Sequence, residues 1–213
     1  MKLRLLAAML LAQLTAFAVI VDRIAIVVGD SIIKDSDIDR DVRVTEFLNG
    51  EPLDLSNGAR KKAAARLIGQ VFIRREIRMG GYPTATLQEA DGQLDAIKKQ
   101  RFNKAAAFEH ALQRYGLTAL DLRSQFQWQL SVLRFIDVRF KPAVLVSDEE
   151  TAKYYREHQA ALSREHPGKA TLEDRRGDIQ DILTGEKVNQ LFFAWLDQQR
   201  QDAKIKFRED NLA

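Results

Sequence analysis

Three histidines, His110, His158 and His166, are the only imidazoles in this 213-residue chain. A zinc or iron site needs several such ligands at helical or hairpin spacing. His158 and His166 lie on one helix face but about two turns, roughly 12 Å, apart, too far to share a metal. There is no cysteine, so disulfides, thiol catalysis and a lipidated N-terminal cysteine are excluded. No nucleophile elbow, Walker loop, dinucleotide fingerprint or zinc-protease motif occurs. The carboxylate pairs Asp37/Asp39 and Glu149/Glu150 fit helix starts, where negative charge complements the helix dipole. Neither catalytic residues, a metal nor a cofactor is expected, and an independent hydrolase is not expected.

Binding chemistry is better represented. A segment from Ala59 to Met79 carries Arg60, Lys61, Lys62, Arg66, Arg74, Arg75 and Arg78 against Glu76. It reads either as attraction to an acidic client or anionic lipid, or as a solvated face whose long stems cover apolar neighbours. In the segment after Thr118, Leu122, Phe126, Leu130, Leu133 and Phe140 form one helical stripe, flanked by Val132 and Ile136, and are expected in the core. Trp128 and Phe135 face away from it, among Ser124, Ser131 and Arg139. Either another helix covers them, or they form an exposed aromatic pair suited to unfolded apolar chains or to dimerisation. Near the C-terminus, Ile179, Ile182 and Leu183 share one face and Val188, Leu191, Phe192 and Trp195 another, with Gly185 between and a bend possible there. Phe193 falls off that second stripe. Trp128, Val132, Phe135 and Phe193 are therefore the candidate client-binding residues.

The elements that would position these groups carry clear local signals. Asp22 to Asp39 reads as a strand, a Gly29-Asp30 turn, a second strand and a helix start, with Ser36 as cap and Asp39 at the third helical position. Helices are expected over 37–48, 59–79, 86–100, 104–115, 118–140, 147–165 and 171–201. Thr86/Glu89, Thr118/Asp121, Ser147/Glu150 and Thr171/Asp174 are capping boxes, and Gly116 is placed as a left-handed cap. Ala203 to Arg208 alternates with strand period. An isolated hairpin is marginal in water, so this last strand is expected to pair with the first hairpin. The fold class is mainly α, with a small sheet made by the two ends.

Composition supports a folded protein: 46% hydrophobic and 30% charged. The first 18 residues hold Lys2 and Arg4, an apolar run and Thr15-Ala16-Phe17-Ala18, the plan of a secretion signal cleaved after Ala18. An uncleaved anchor is the rival, because apolar residues continue to Val21, but that run is at the short limit for a bilayer. No other segment could span a membrane. Without Lys2 and Arg4 the net charge of +3 falls close to neutral, which gives no global case for nucleic acid or anionic membrane as partner.

The sequence around the hairpin, Val21-Asp22-Arg23-Ile24 through Val27-Val28, then Ser36-Asp37-Ile38-Asp39, resembles the opening of the SurA family of periplasmic chaperones. Tyr115-Gly116-Leu117-Thr118 with Asp121-Leu122-Arg123 is similar to a helix start of that family. Val146-Ser147-Asp148-Glu149-Glu150 with Tyr154-Tyr155 and His158 resembles another, although Thr151 stands where an aliphatic is usual. Leu172 to Arg176, Ile179, Leu183, Glu186-Lys187, Trp195-Leu196 and Ala203-Lys204-Ile205 resemble the closing helix and strand. Typical members carry one or two parvulin-type prolyl isomerase domains between the Tyr-Tyr helix and the closing helix. Here only His166 to Ala170 fill that gap, and a catalytic domain needs on the order of a hundred residues.

The resemblance implies a signal at 1–18 and one chaperone module at 22–213, divided into an N-terminal region (22–146) and C-terminal helices with the closing strand (147–213), without a parvulin insertion. It implies a periplasmic, ATP-independent holdase for unfolded outer-membrane or secreted polypeptides, not an enzyme, with a homodimer as a possible state. A dedicated envelope assembly partner is the alternative, and a prolyl isomerase the less favoured one.

Overall fold

Alternating β-branched residues on either side of Gly29 make the first element a hairpin, β1 (Ile24–Val28) and β2 (Ser31–Lys34). Gly29 takes the positive φ of 56° required at the first position of a two-residue hairpin turn. The computed structural model describes residues 22–102, 104–165, 171–208 and 212, the side chains of 161–165 excepted. The expected signal at 1–18, and the junction from His166 to Ala170, lie outside the described residues. The C-terminal strand β3 (Ile205–Phe207) pairs antiparallel with β1, giving the sheet order β2-β1-β3. The expected closure of the two ends is therefore formed.

Seven α-helices occur among the described residues. They are α1 (Asp35–Asn49), α2 (Asn57–Gly80), α3 (Leu87–Arg101), α4 (Ala105–Tyr115), α5 (Ala119–Arg139), α6 (Asp148–Glu165) and α7 (Leu172–Asp202). Thr86, Thr118 and Thr171 each accept from the amide three residues on, while Glu89, Asp121 and Asp174 accept in return. Ser147 and Glu150 make the same reciprocal pair. Gly116 ends α4 at a φ of 62°. At α1 the expected cap is replaced. The helix begins two residues early, Asp37 accepts from the Lys34 N–H at 3.0 Å, and the Ser36 hydroxyl instead donates to Asp22 at 2.6 Å. Asp39 pairs with Arg60.

Two apolar cores result. The first joins the sheet (Ala25, Ile26, Val28, Ile33) to Ile38 and Val42 of α1, to Ile68, Phe72 and Ile73 of α2, and to Phe135, Phe140, Val188, Phe192 and Leu196. The second joins Val44 and Phe47 of α1 to Ala90, Leu94, Phe108, Leu112, Leu122 and Phe126. Helices α1 and α5 thus serve both. The long α7 is one continuous helix with Gly185 inside it. Its buried face is Ile179, Val188, Phe192 and Leu196, while Ile182 and Leu191 are exposed. Thr151, where an aliphatic was usual, is fully buried, its hydroxyl satisfied by the Ser147 carbonyl at 2.9 Å.

The two ends depend on each other through β1, which has a strand on each side. Deletion of residues 203–213 should strip amide protection from Ile26 to Val28 in hydrogen-exchange mass spectrometry; unchanged protection would show that β3 is dispensable.

A second test concerns the α3–α5 contact. Hydrogen bonds from Arg134 and then from the Thr86 N–H hold the Glu89 carboxyl at about 2, below its ordinary 4.5. The unfolded chain therefore binds this proton more tightly than the folded one. The stabilisation is complete above about pH 4.5 and is lost as the pH falls toward 2. Glu89→Gln should flatten the acid limb of the melting temperature over that window in calorimetry.

Candidate functional site

Helix α5 decides where the candidate aromatics go. Phe126 enters the second core, and Phe135, nine residues on, lies about 180° away around a straight helix. Because the first core sits on the opposite side of α5, Phe135 belongs inside and Leu133, along the Phe126 stripe, does not. Phe135 is 0% exposed, and Leu133 is 59% exposed. The single stripe expected from Leu122 to Phe140 is thus corrected in part: Leu122, Phe126 and Phe140 are buried, but Leu133 is surface.

Phe135 is accordingly removed from the set of accessible residues. Its ring meets Tyr82 at 5.0 Å, Trp195 at 5.6 Å and Phe140 at 5.7 Å, all at steep angles. Beside it, Ser131 is buried and satisfied, accepting from the Ala85 N–H at 2.9 Å and donating to the Gln127 carbonyl at 2.8 Å. Val132 is half-buried against the first core. Phe193 projects from α7, 58% exposed, with its ring 5.4 Å from Phe192. Trp128 is half-buried, and the Arg74 guanidinium lies 3.9 Å from its ring centroid, a cation–π contact. The four candidates therefore do not form one patch.

Trp128 does line a cleft of about 650 Å³ between β2, α1, α2 and α5. Ile32, Leu67, Val71 and Trp128 give it an apolar lining, and Arg74, Arg75 and Arg78 of α2 form a basic row. Its carboxylates are already engaged. Asp37 caps α1, Asp41 takes the Arg66 Nε–H at 2.9 Å, and Asp121 caps α5 and faces Arg40 at 3.6 Å. Burial raises the pKa of Asp41, and Arg66 opposes that shift. Partial burial lowers that of Arg74, which stays a cation because guanidinium is protonated throughout the working pH range. Among the described residues, Arg74, Arg75 and Arg78 have no carboxylate partner.

The basic segment thus splits in two. Arg60 and Arg66 fasten α2 to Asp35, Asp39 and Asp41 of α1, whereas the row further along faces the cleft uncompensated. Sequence reasoning singled out Trp128 but not Ile32, which is 50% exposed at the outer strand of the sheet. The signal was present in the strand alternation, which places Ile32 opposite to buried Ile33. His110 is exposed on α4, and His158 stacks on Tyr154 at 4.0 Å, both away from the cleft lining.

The fold is SurA-like: a mainly helical body closed by a three-stranded antiparallel sheet. Among solved structures, the chain is similar to one from a study of the virulence factor PEB4 and the periplasmic protein Cj1289, two structurally related SurA-like chaperones of the human pathogen Campylobacter jejuni. The likeness covers 88% of this chain and 100% of that one, with a TM-score of 0.52 and 14% sequence identity, a likeness of fold. No protein-family model matches the sequence, and no curated protein matches it. Among the described residues, no helix is long and apolar enough to cross a membrane.

The burial difference between two candidate phenylalanines can be measured. Phe135→Ala should cost about 3–5 kcal/mol, the usual cost of emptying a core aromatic site. Phe193→Ala should stay within about 0.5 kcal/mol. Urea unfolding followed by circular dichroism distinguishes them; equal effects would place Phe193 in a packed environment.

Proposed function

We propose that this chain is an ATP-independent holdase of the cell envelope that binds unfolded polypeptides. The observation that carries the reading is the open cleft beside β2, lined by both apolar and charged side chains, in a SurA-like fold. Trp128, Ile32, Leu67 and Val71 offer contact area without a deep, shape-selective pocket, which suits weak binding of many sequences. Phe193 is a second apolar contact on α7, outside the cleft. The sequence has no Walker loop, in keeping with binding that uses no nucleotide.

The signal pattern at 1–18 supports export to the periplasm. The near-neutral net charge of the exported chain gives no global case for nucleic acid or lipid as partner. The five residues from His166 to Ala170 leave no room for a parvulin-type domain, so the proposed role is holding rather than isomerisation.

The purified protein at stoichiometric excess should slow the light scattering of a diluted, urea-unfolded outer-membrane protein. No slowing would sink the proposal. Cross-linking in the envelope should trap many clients; a single trapped partner would favour a dedicated assembly subunit, and acceleration in a proline-peptide assay would favour an isomerase.

A further inference from the structure

We propose that the cleft takes an extended polypeptide segment in which apolar residues and carboxylates stand apart, as two blocks about three residues from one another. The proposal rests on the holdase reading and names the chemistry of the client segment.

Two sets of contacts define the ends of the cleft. At one end, the Arg66 Nε–H donates to Asp41 at 2.9 Å, and Arg40 faces Asp121 at 3.6 Å. Leu67 follows Arg66, Leu120 precedes Asp121, and Val44 lies one turn beyond Arg40, all three in the cleft lining. This end therefore combines paired charges with apolar side chains, of which Leu120 is 57% exposed. At the other end, the Arg74 guanidinium lies 3.9 Å from the Trp128 ring centroid. Arg74 stands eight residues after Arg66, and Trp128 seven after Asp121. On both helices this end therefore lies about 11 Å further along. Arg75 and Arg78 line the cleft with Arg74, and among the described residues none of the three has a carboxylate partner.

The lining thus changes from apolar to cationic along the helix axes, not across the cleft. On α2, Leu67, Val71, Arg74 and Arg78 follow at steps of three or four, one helix face whose chemistry changes part-way. Arg74 covers part of the Trp128 ring, so Trp128 belongs to the cationic end. An extended segment advances about 3.3 Å per residue, so the two ends are about three residues apart for an occupant. Apolar side chains at one end and carboxylates at the other would meet both linings. Strict alternation would put a carboxylate against Leu67 and Leu120.

Charge and lining select among occupants. Residues 1–21 carry Lys2 and Arg4 and no acid, which argues against the chain's own first segment. A second copy presenting this face brings the same arginines. An acyl chain calls for a continuous apolar trough, whereas Gln70, Ser124 and Gln125 here offer hydrogen bonds to a peptide backbone.

The test follows the two tryptophan indole N–H signals of the purified protein by NMR, assigned with Trp128→Phe. Peptides with acetylated and amidated ends are titrated at low salt: Leu-Leu-Ser-Glu-Glu, its counterparts with Gln or Lys in place of Glu, and the isomer Leu-Glu-Leu-Glu-Ser. The Trp128 signal should shift while that of Trp195 stays. The Glu block peptide should bind about three- to tenfold tighter than the Gln one, with the Lys one weakest. The isomer should bind about threefold more weakly than the block peptide. The exposed pair Arg75→Glu/Arg78→Glu should invert the charge order, so that the Lys peptide binds best. Equal binding of the Glu, Gln and Lys peptides, or an order the double variant leaves unchanged, overturns the acidic preference. Equal binding of the isomer overturns the two-block arrangement, and a Trp128 signal that never moves overturns the site. Phosphatidylglycerol vesicles that abolish the peptide's shift assign the cleft to lipid, and a Trp128 signal that shifts with protein concentration alone assigns it to a second copy; either overturns the proposal. If the peptide order fails while aggregation is still slowed, the holdase reading stands without this site; if the order holds and aggregation is not slowed, the site stands without that function.

Discussion

Strand β1 has a partner on both edges, and much of the structure depends on that. A two-stranded hairpin of this length is marginal in water. Pairing with β3 turns it into the middle strand of a sheet whose Ala25, Ile26 and Val28 are buried in the first core. For β3 to arrive there, α7 must end at the sheet and lie along α2, where Arg200 donates to the Ala65 carbonyl at 3.1 Å. The closure therefore fixes α7, covers Phe135 with Trp195, and leaves β2 as an outer strand.

The second organising fact is that two cores share two helices. Helix α1 gives Ile38 and Val42 to one core and Val44 and Phe47 to the other; α5 gives Phe135 to one and Leu122 and Phe126 to the other. An amphipathic helix with one apolar stripe can serve one core. A helix serving two must change its buried side along its length, and α5 does so between Phe126 and Phe135. The cleft draws its walls from both cores, with Ile33 from the first and Val44 from the second.

Charge follows the same geometry. Where α1 and α2 run close, arginines and aspartates interlock: Arg60 with Asp35 at 2.8 Å and with Asp39, Arg66 with Asp41. Such partly exposed pairs contribute modestly to stability, and their clearer effect is to set the register of one helix on the other. Further along α2, the arginine row that follows Val71 lines the cleft instead. One basic segment thus presents two environments, ion-paired at Arg60 and Arg66 and cleft-lining from Arg74 to Arg78.

The sequence determined what can be settled within a few residues. Capping boxes at Thr86, Thr118 and Thr171, the Gly116 cap and the Gly29 turn all formed as expected, because the threonine side chains meet backbone amides three positions away and the glycines take the positive φ the chain needs locally. Closure by Ala203 to Arg208 was legible too, since a lone hairpin needs a third strand and the chain offers one. Tertiary structure decided the rest. Ser36 lost its capping role because Asp22, distant in sequence, claims its hydroxyl. Phe135 lies inside and Leu133 outside because a periodicity gives the angle between residues, not the number of cores that a helix must face. The cleft beside Trp128 was invisible for the same reason: its lining comes from four elements, and only packing brings Ile32, Val71 and the arginine row together.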